Sequence, residues 1–278
     1  MKKLTNSYKN YKIMKLRIYI TCIACILANI TFAQKKELSN SDSAKALIEK
    51  MVARTGNYEL LKKLKDVEFT YDFYSPKTKK SDISVERYIF NGEVSWGQYK
   101  THNVFVLPKK KGIVTQYYES TGNSWITIEN TKITDTRTLR SSDFLRKANY
   151  YWFTMMPKLL DNGIVYTQLP DRVYNKVNYS IVKIGFEKGV GDVQDDFILY
   201  INPTTLLVDR FLFTVKGSAL GISLMEIEYE TVNGYTFMAK RKVIPADWDG
   251  NIKGKVLYEQ TTTNVKFNNG FKRELLAK

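Results

Sequence analysis

Side chains able to do chemistry are scarce in this chain. One histidine, His102, is present in 278 residues. A histidine base needs a positioned nucleophile and an acid to orient it, and no G-x-S-x-G or comparable motif accompanies Thr101-His102-Asn103. The sequence reads His102 as an isolated turn or surface residue. The two cysteines, Cys22 and Cys25, lie in an apolar stretch near the start, so the usual zinc ligand sets are excluded. Carboxylates remain. Glu226, Glu228 and Glu230 alternate with Met225, Ile227 and Tyr229, and a hairpin at Asn233-Gly234 sets Arg241 opposite Glu226 with Glu228 one diagonal away. That pattern describes a solvated strand face with cross-strand ion pairs; a hydrolase would need Glu226 and Glu228 in a cleft instead. Asp192, Asp195 and Asp196 cluster without the spacing of a calcium loop, which leaves weak adventitious cation binding at most. No catalytic residue, metal ligand or cofactor is assigned, and the chain reads as non-enzymatic.

The cysteines belong to a leader. Lys2, Lys3, Lys9, Lys12, Lys15 and Arg17 precede a mostly apolar run, Ile18 to Phe32, that ends at Thr31-Phe32-Ala33 before Gln34-Lys35-Lys36-Glu37. A basic n-region, a short h-region and a small-residue exit predict a secretory signal peptide over residues 1–33. The run falls short of the roughly 20 apolar residues that span a membrane. Met14-Lys15-Leu16-Arg17 makes an equally good leader start. Cys25 follows Cys22-Ile23-Ala24, not a Leu-led lipobox, so lipidation is disfavoured. Cleavage after Ala33 removes six basic residues, taking the formal charge from +15 to +9, and leaves no thiol for a disulfide or a nucleophile. The expected address is the periplasm or the extracellular space.

The elements that must position any site are mostly strands. Ser41 and Asp42 open a helix whose Ala44, Leu47, Ile48, Met51 and Val52 recur with helical spacing, and Gly56 stops it. A second helical turn follows through Leu60, Leu61 and Leu64. From Val67 the period becomes two: Val67, Phe69, Tyr71 and Phe73 share one face. Strands are expected at Ile83–Ile89, Trp96–Tyr99, Val104–Leu107, Ile113–Tyr118 and Trp125–Ile128. Ser141-Ser142-Asp143 caps a helix ending before Pro157. Strands resume at Ile164–Leu169, Tyr179–Phe186, Phe197–Ile201, Leu206–Val215, Ser223–Val232, Tyr235–Ile244 and Lys255–Phe267. With no linker or repeat, residues 34–278 read as a single mainly β (α+β) domain. Its core is a large curved antiparallel sheet or incomplete β-barrel, with the N-terminal helix and the inserted aromatic helix packed in its concavity.

Basic runs at Lys62-Lys63-Lys65, Lys77-Lys79-Lys80 and Lys109-Lys110-Lys111 lie near turns. In an exported protein they suit an anionic envelope surface better than nucleic acid, although solubility alone accounts for most such runs. The segment Asn149-Tyr150-Tyr151-Trp152-Phe153-Thr154-Met155-Met156-Pro157 is apolar nearly all round. It is either a helix buried in the core or a plug lining an apolar cavity, since aromatic and Met side chains adapt to lipid-like ligands. Phe211-Leu212-Phe213 requires cover on both faces of its strand. The expected walls of such a cavity are Phe144, Tyr151, Trp152, Met155, Phe211 and Phe213.

Several of these segments resemble known proteins. The leader ending Phe-Ala-Gln, the helix with Leu47-Ile48-Glu49-Lys50, the strand Val67-Glu68-Phe69-Thr70-Tyr71 and the run from Tyr151 to Gly163 resemble a family of secreted bacterial proteins of unknown function. The run Tyr200-Ile201-Asn202-Pro203-Thr204-Thr205-Leu206-Leu207-Val208-Asp209, followed by Asn233-Gly234-Tyr235, resembles the lipoprotein-localisation (LolA/LolB) superfamily. That resemblance implies an incomplete antiparallel barrel whose helices close a hydrophobic cavity for acyl chains. It implies an exported carrier or binder of a lipid, a lipoprotein acyl chain or another apolar ligand. The alternative is an envelope interaction or structural protein without an internal ligand.

Overall fold

The computed structural model describes residues 40–190, 195–216 and 220–278; the leader, Cys22, Cys25 and Asp192 lie outside the described residues. Residues 40–55 form α1, which buries Ala44, Ile48, Met51 and Val52 as its spacing requires. Gly56, at φ 103°, ends it in a conformation that favours glycine. Asn57 then caps α2 (Tyr58–Leu64), accepting the Leu60 N–H at 2.9 Å.

The strands in chain order are β1 (Asp66–Ser75), β2 (Lys80–Ile89), β3 (Val94–His102), β4 (Val114–Tyr118), β5 (Ser124–Ile128) and β6 (Thr131–Lys132). After α3 (Thr136–Lys158) come β7 (Ile164–Tyr174), β8 (Val177–Phe186), β9 (Phe197–Ile201), β10 (Val208–Phe213), β11 (Ser223–Val232), β12 (Tyr235–Pro245) and β13 (Tyr258–Phe267). A short α4 (Arg273–Leu276) follows. All thirteen strands join one antiparallel sheet in the order β6-β5-β4-β3-β2-β1-β13-β12-β11-β10-β9-β8-β7. The ends, β6 and β7, do not meet, so the sheet is not a closed barrel.

It is nevertheless strongly curled. Consecutive side chains of α3 reach opposite parts of it: Tyr151 meets Phe197 on β9, Trp152 meets Phe211 and Phe213 on β10, and Phe153 meets Phe69 on β1 and Tyr88 on β2. Strands β2 and β9 are six places apart, roughly 29 Å in a flat sheet at the usual spacing. One helical turn can touch both only if the sheet wraps around it. The inner face, which holds α1 and α3, carries the main core of Ile48, Met51, Met155, Leu199, Phe211 and Val243. The outer face is covered in two places. Ala246 and Trp248, in the β12–β13 connection, pack with Ile198, Leu212 and Leu224. Leu276 of α4 packs with Val94, Trp96 and Tyr117. Leu212 thus faces out while Phe211 and Phe213 face in, as a doubly covered strand demands.

Four local expectations are corrected. Residues 104–107 are not a strand, because Asp82 accepts the N–H groups of Val104, Phe105 and Val106 that a ladder would use. The aromatic helix starts earlier than Ser141: Asp135 caps α3 by accepting the Thr138 N–H at 2.8 Å. Pro157 does not stop α3 but lies in its last turn, ahead of Leu159. Proline removes the donor for the carbonyl four residues back, and the Tyr235 hydroxyl donates to that Phe153 carbonyl at 2.9 Å. Finally, the β11–β12 register shifts between Glu228 and Tyr229, so Glu226 pairs with Lys242 and Arg241 with Ile227. Ala239 is the extra residue of this bulge. A one-residue slip changes every later pairing, and Arg241 lies on the inner face, opposite Ile227 instead of Glu226.

Candidate functional site

The site is the space between α3 and the inner faces of β1, β2, β3, β12 and β13. Its polar centre is one that strand patterning assigns to the wrong side. In β2 the apolar residues Ile83, Val85 and Ile89 suggest the buried face, yet the inward set is Ser84, Glu86 and Tyr88. Ile83 is exposed, and Val85 and Ile89 join the outer cluster beneath α4. Glu86 is fully buried and meets Arg146 of α3 in a two-pronged pair, Nη1 to Oε2 at 2.5 Å and Nη2 to Oε1 at 3.0 Å. Ser84 and Tyr88 also donate to the Glu86 carboxylate, at 2.6 and 3.0 Å. Arg146 Nη2 further donates to the Tyr99 hydroxyl, and Ser95 donates to the Arg146 carbonyl at 3.1 Å. Opposed only by burial, Glu86 and Tyr99 hold the Arg146 pKa well above its ordinary value. Burial pushes the Tyr88 and Tyr99 phenols up, so both remain neutral donors.

Gly97 makes this pair possible. A Cβ there would lie 2.1 Å from Arg146 Nη1. Above this layer Phe153 is surrounded by Phe69, Tyr88, Tyr235, Phe237 and Phe267, with ring centroids 4.9 to 6.4 Å away. The sequence-expected wall residues divide. Tyr151, Trp152, Met155, Phe211 and Phe213 come together: Trp152 stacks on Phe211 at 6.1 Å and meets Phe213 edge-on at 5.6 Å, and Met155 is buried in the same core. Phe144 does not join them. Its position on α3 leaves it 48 % exposed.

Between these layers lies a cavity of about 10 Å³, bordered by Tyr71, Asn149, Trp152, Met238, Arg241 and Thr262. That is room for about one water, not for the lipid expected from the sequence; the aromatic side chains fill the space themselves. Arg241 donates to the Tyr71 hydroxyl at 3.1 Å. Arg146, Glu86, Tyr99 and Arg241 were not singled out as an interior group by sequence. One signal existed: Arg146, Tyr150 and Phe153 share a helical face at i, i+4 and i+7, which drags a charge into the core.

The remaining polar candidates have structural partners. His102 is buried, not surface, with Nδ1 2.9 Å from the Val106 carbonyl and Nε2 2.8 Å from that of Gly112; with Asp82 it holds the loop after β3. Glu228 pairs with Lys240 at 2.8 Å in solvent, so Glu226 and Glu228 form no cleft. Asp195 accepts the Lys216 N–H, and burial raises its carboxyl pKa. Among the described residues no group of three His, Cys, Asp or Glu side chains could hold a metal, and no helix is long and apolar enough to cross a membrane.

Two solved structures share the fold. A domain from Vibrio parahaemolyticus named for outer membrane lipoprotein sorting superposes with a TM-score of 0.51 at 11% identity, covering 86% of this chain and all of that one. A DUF1329 family protein from Desulfovibrio piger gives 0.54 at 11% identity, covering 85% of this chain and 97% of the other. A LolA superfamily protein from Nitrosomonas europaea gives 0.45 at 9% identity over 79% of this chain and 96% of that one. No curated protein matches the chain. Residues 17–260 match DUF6503, a family of unknown function, and the chain belongs to that family.

Proposed function

We propose that the protein is an exported, non-enzymatic carrier or binder of a lipid or other apolar molecule, held between α3 and the inner face of the sheet. One observation carries this reading. Among the described residues the unclosed sheet has no second sheet to cover its inner face; two helices, α1 and the longer α3, supply the cover. The α3 helix meets the sheet through adaptable aromatic and Met side chains together with a buried ion pair. Aromatic and Met side chains can repack around an incoming apolar group, so α3 is a cover that can yield. A ligand would replace Trp152 and its neighbours against Phe211 and Phe213. The lipoprotein-sorting name of the Vibrio relative supports the same class of ligand, a lipid or acyl chain. The leader and the basic turns support export and contact with an anionic envelope surface.

Native mass spectrometry of protein purified from an envelope fraction tests this, together with uptake of N-phenyl-1-naphthylamine followed by transfer from tryptophan. Copurified lipid and saturable uptake are expected. A protein that carries no lipid and takes up no probe would sink the reading. The packed interior would then favour the second one, an envelope interaction protein whose aromatic helix is ordinary core.

A further inference from the structure

This inference rests on the carrier reading and concerns the ligand's head group. Arg241 is 5% exposed, and a guanidinium keeps its charge at any pH the protein meets. Buried charge is ordinarily matched by an opposite one. Arg146 has Glu86, and Arg210, buried on the outer face, has Glu226 at 3.8 Å and the Tyr174 ring at 3.7 Å. Arg241 has the neutral Tyr71 side chain, its hydroxyl 3.1 Å from Nη2 and its ring 5.5 Å from Cζ, and no carboxylate; its Nε–H, like those of Arg146 and Arg210, has no acceptor. The inner-face carboxylates nearby are committed elsewhere. Glu86 serves Arg146, Ser84 and Tyr88, and Asp82 serves three backbone N–H groups. Gln260, opposite Arg241 across the strands, has an unpartnered amide oxygen but no charge to offer.

The position is built. The bulge at Ala239 shifts the register so that Glu226 and Glu228 face Lys242 and Lys240, while Arg241, opposite Ile227, borders the internal cavity. Tyr71 spends its oxygen on Arg241, so its proton is free for an incoming acceptor. Trp152 borders the same cavity and leads to Phe211 and Phe213. A cationic donor pair thus adjoins an apolar track.

We propose that Arg241 and Tyr71 bind the single anionic head group, carboxylate or phosphate, of an amphiphile whose alkyl chain lies along Trp152, Phe211 and Phe213. At about 10 Å³ the cavity admits the head group only when the Asn149–Trp152 turn of α3 moves aside.

The test titrates the purified protein with dodecanoate, dodecyl phosphate and dodecanol below their micelle concentrations, by calorimetry and tryptophan fluorescence. At least one anion should bind about tenfold or more tighter than the alcohol, as a hydrogen bond to a charged group allows; which anion does so identifies the head group. Arg241→Met should erase that preference and leave dodecanol binding unchanged, while Arg241→Lys keeps most of it. The melting temperature of ligand-free Arg241→Met should equal or exceed that of the parent, because an unmatched charge is removed. Equal affinity for all three probes in the parent, or a preference that survives Arg241→Met, overturns the head-group site while the carrier reading stands. Binding of none of the three overturns both.

Discussion

Replacing Gly97 by alanine should be far more damaging than one methyl group suggests. The added Cβ would stand 2.1 Å from Arg146 Nη1 and 2.7 Å from its Cζ, so the guanidinium must retreat by more than 1 Å. Its bonds to Glu86, at 2.5 and 3.0 Å, cannot survive that movement. Both side chains are fully buried, and separating a buried pair costs about 3–5 kcal/mol because the charges stay behind without partners. For a chain of this size each kcal/mol moves the melting temperature by about 2–4 °C, giving a loss of about 6–20 °C. Thermal unfolding by circular dichroism measures it, and the same substitution in a Glu86→Leu, Arg146→Leu background isolates the cause. There the overlap meets no charge, and Gly97→Ala should cost under about 1.5 kcal/mol, as ordinary repacking does. A melting temperature within 2 °C of the parent, or an equal loss in both backgrounds, would refute the argument that Gly97 exists to admit Arg146.

Two further outcomes follow from the same interior. Tyr235→Phe should cost about 1–3 kcal/mol, because the Phe153 carbonyl, deprived of its helical donor by Pro157, then has no partner; in a Pro157→Ala background, where the helix can supply an N–H, urea titration should show a much smaller cost. Alkaline pH should unfold the protein before its buried phenols ionise. Burial, reinforced by Glu119 and by Asp209, pushes Tyr117 and Tyr179 up to about 12. Since the unfolded phenols ionise near 10, stability is fully present below pH 10 and falls between 10 and 12. Absorbance at 295 nm followed beside circular dichroism checks this, and smooth titration of every tyrosine near pH 10 with the fold intact would contradict it.

The order of elements was legible in the sequence because it depends on local periodicity. Alternation in β1, β11 and β12, the helical spacing of α1, and turn chemistry at Gly56, Asn91-Gly92 and Asn233-Gly234 act over a few residues and need no partner. The gathering of Tyr151, Trp152, Met155, Phe211 and Phe213 was legible for a related reason: segments apolar on every side must be covered on every side. Residues 104–107 show where this stops, since a short apolar run becomes strand or loop according to whether Asp82 captures its N–H groups.

The interior was decided by tertiary structure. Which face of β2 points inward depends on Arg146 arriving from α3, sixty residues later, to neutralise Glu86; by pattern alone the apolar side of that strand looked buried. Which residue Arg241 faces across the strands depends on one extra residue, Ala239, in a strand whose alternation reads the same with or without it. A bulge changes every later cross-strand pairing while leaving composition and spacing untouched. Local patterning therefore specified a curved sheet with an aromatic helix in its concavity. The fold alone decided that the helix closes over a buried ion pair and one unmatched arginine, because both arise from registers set by the strands' partners.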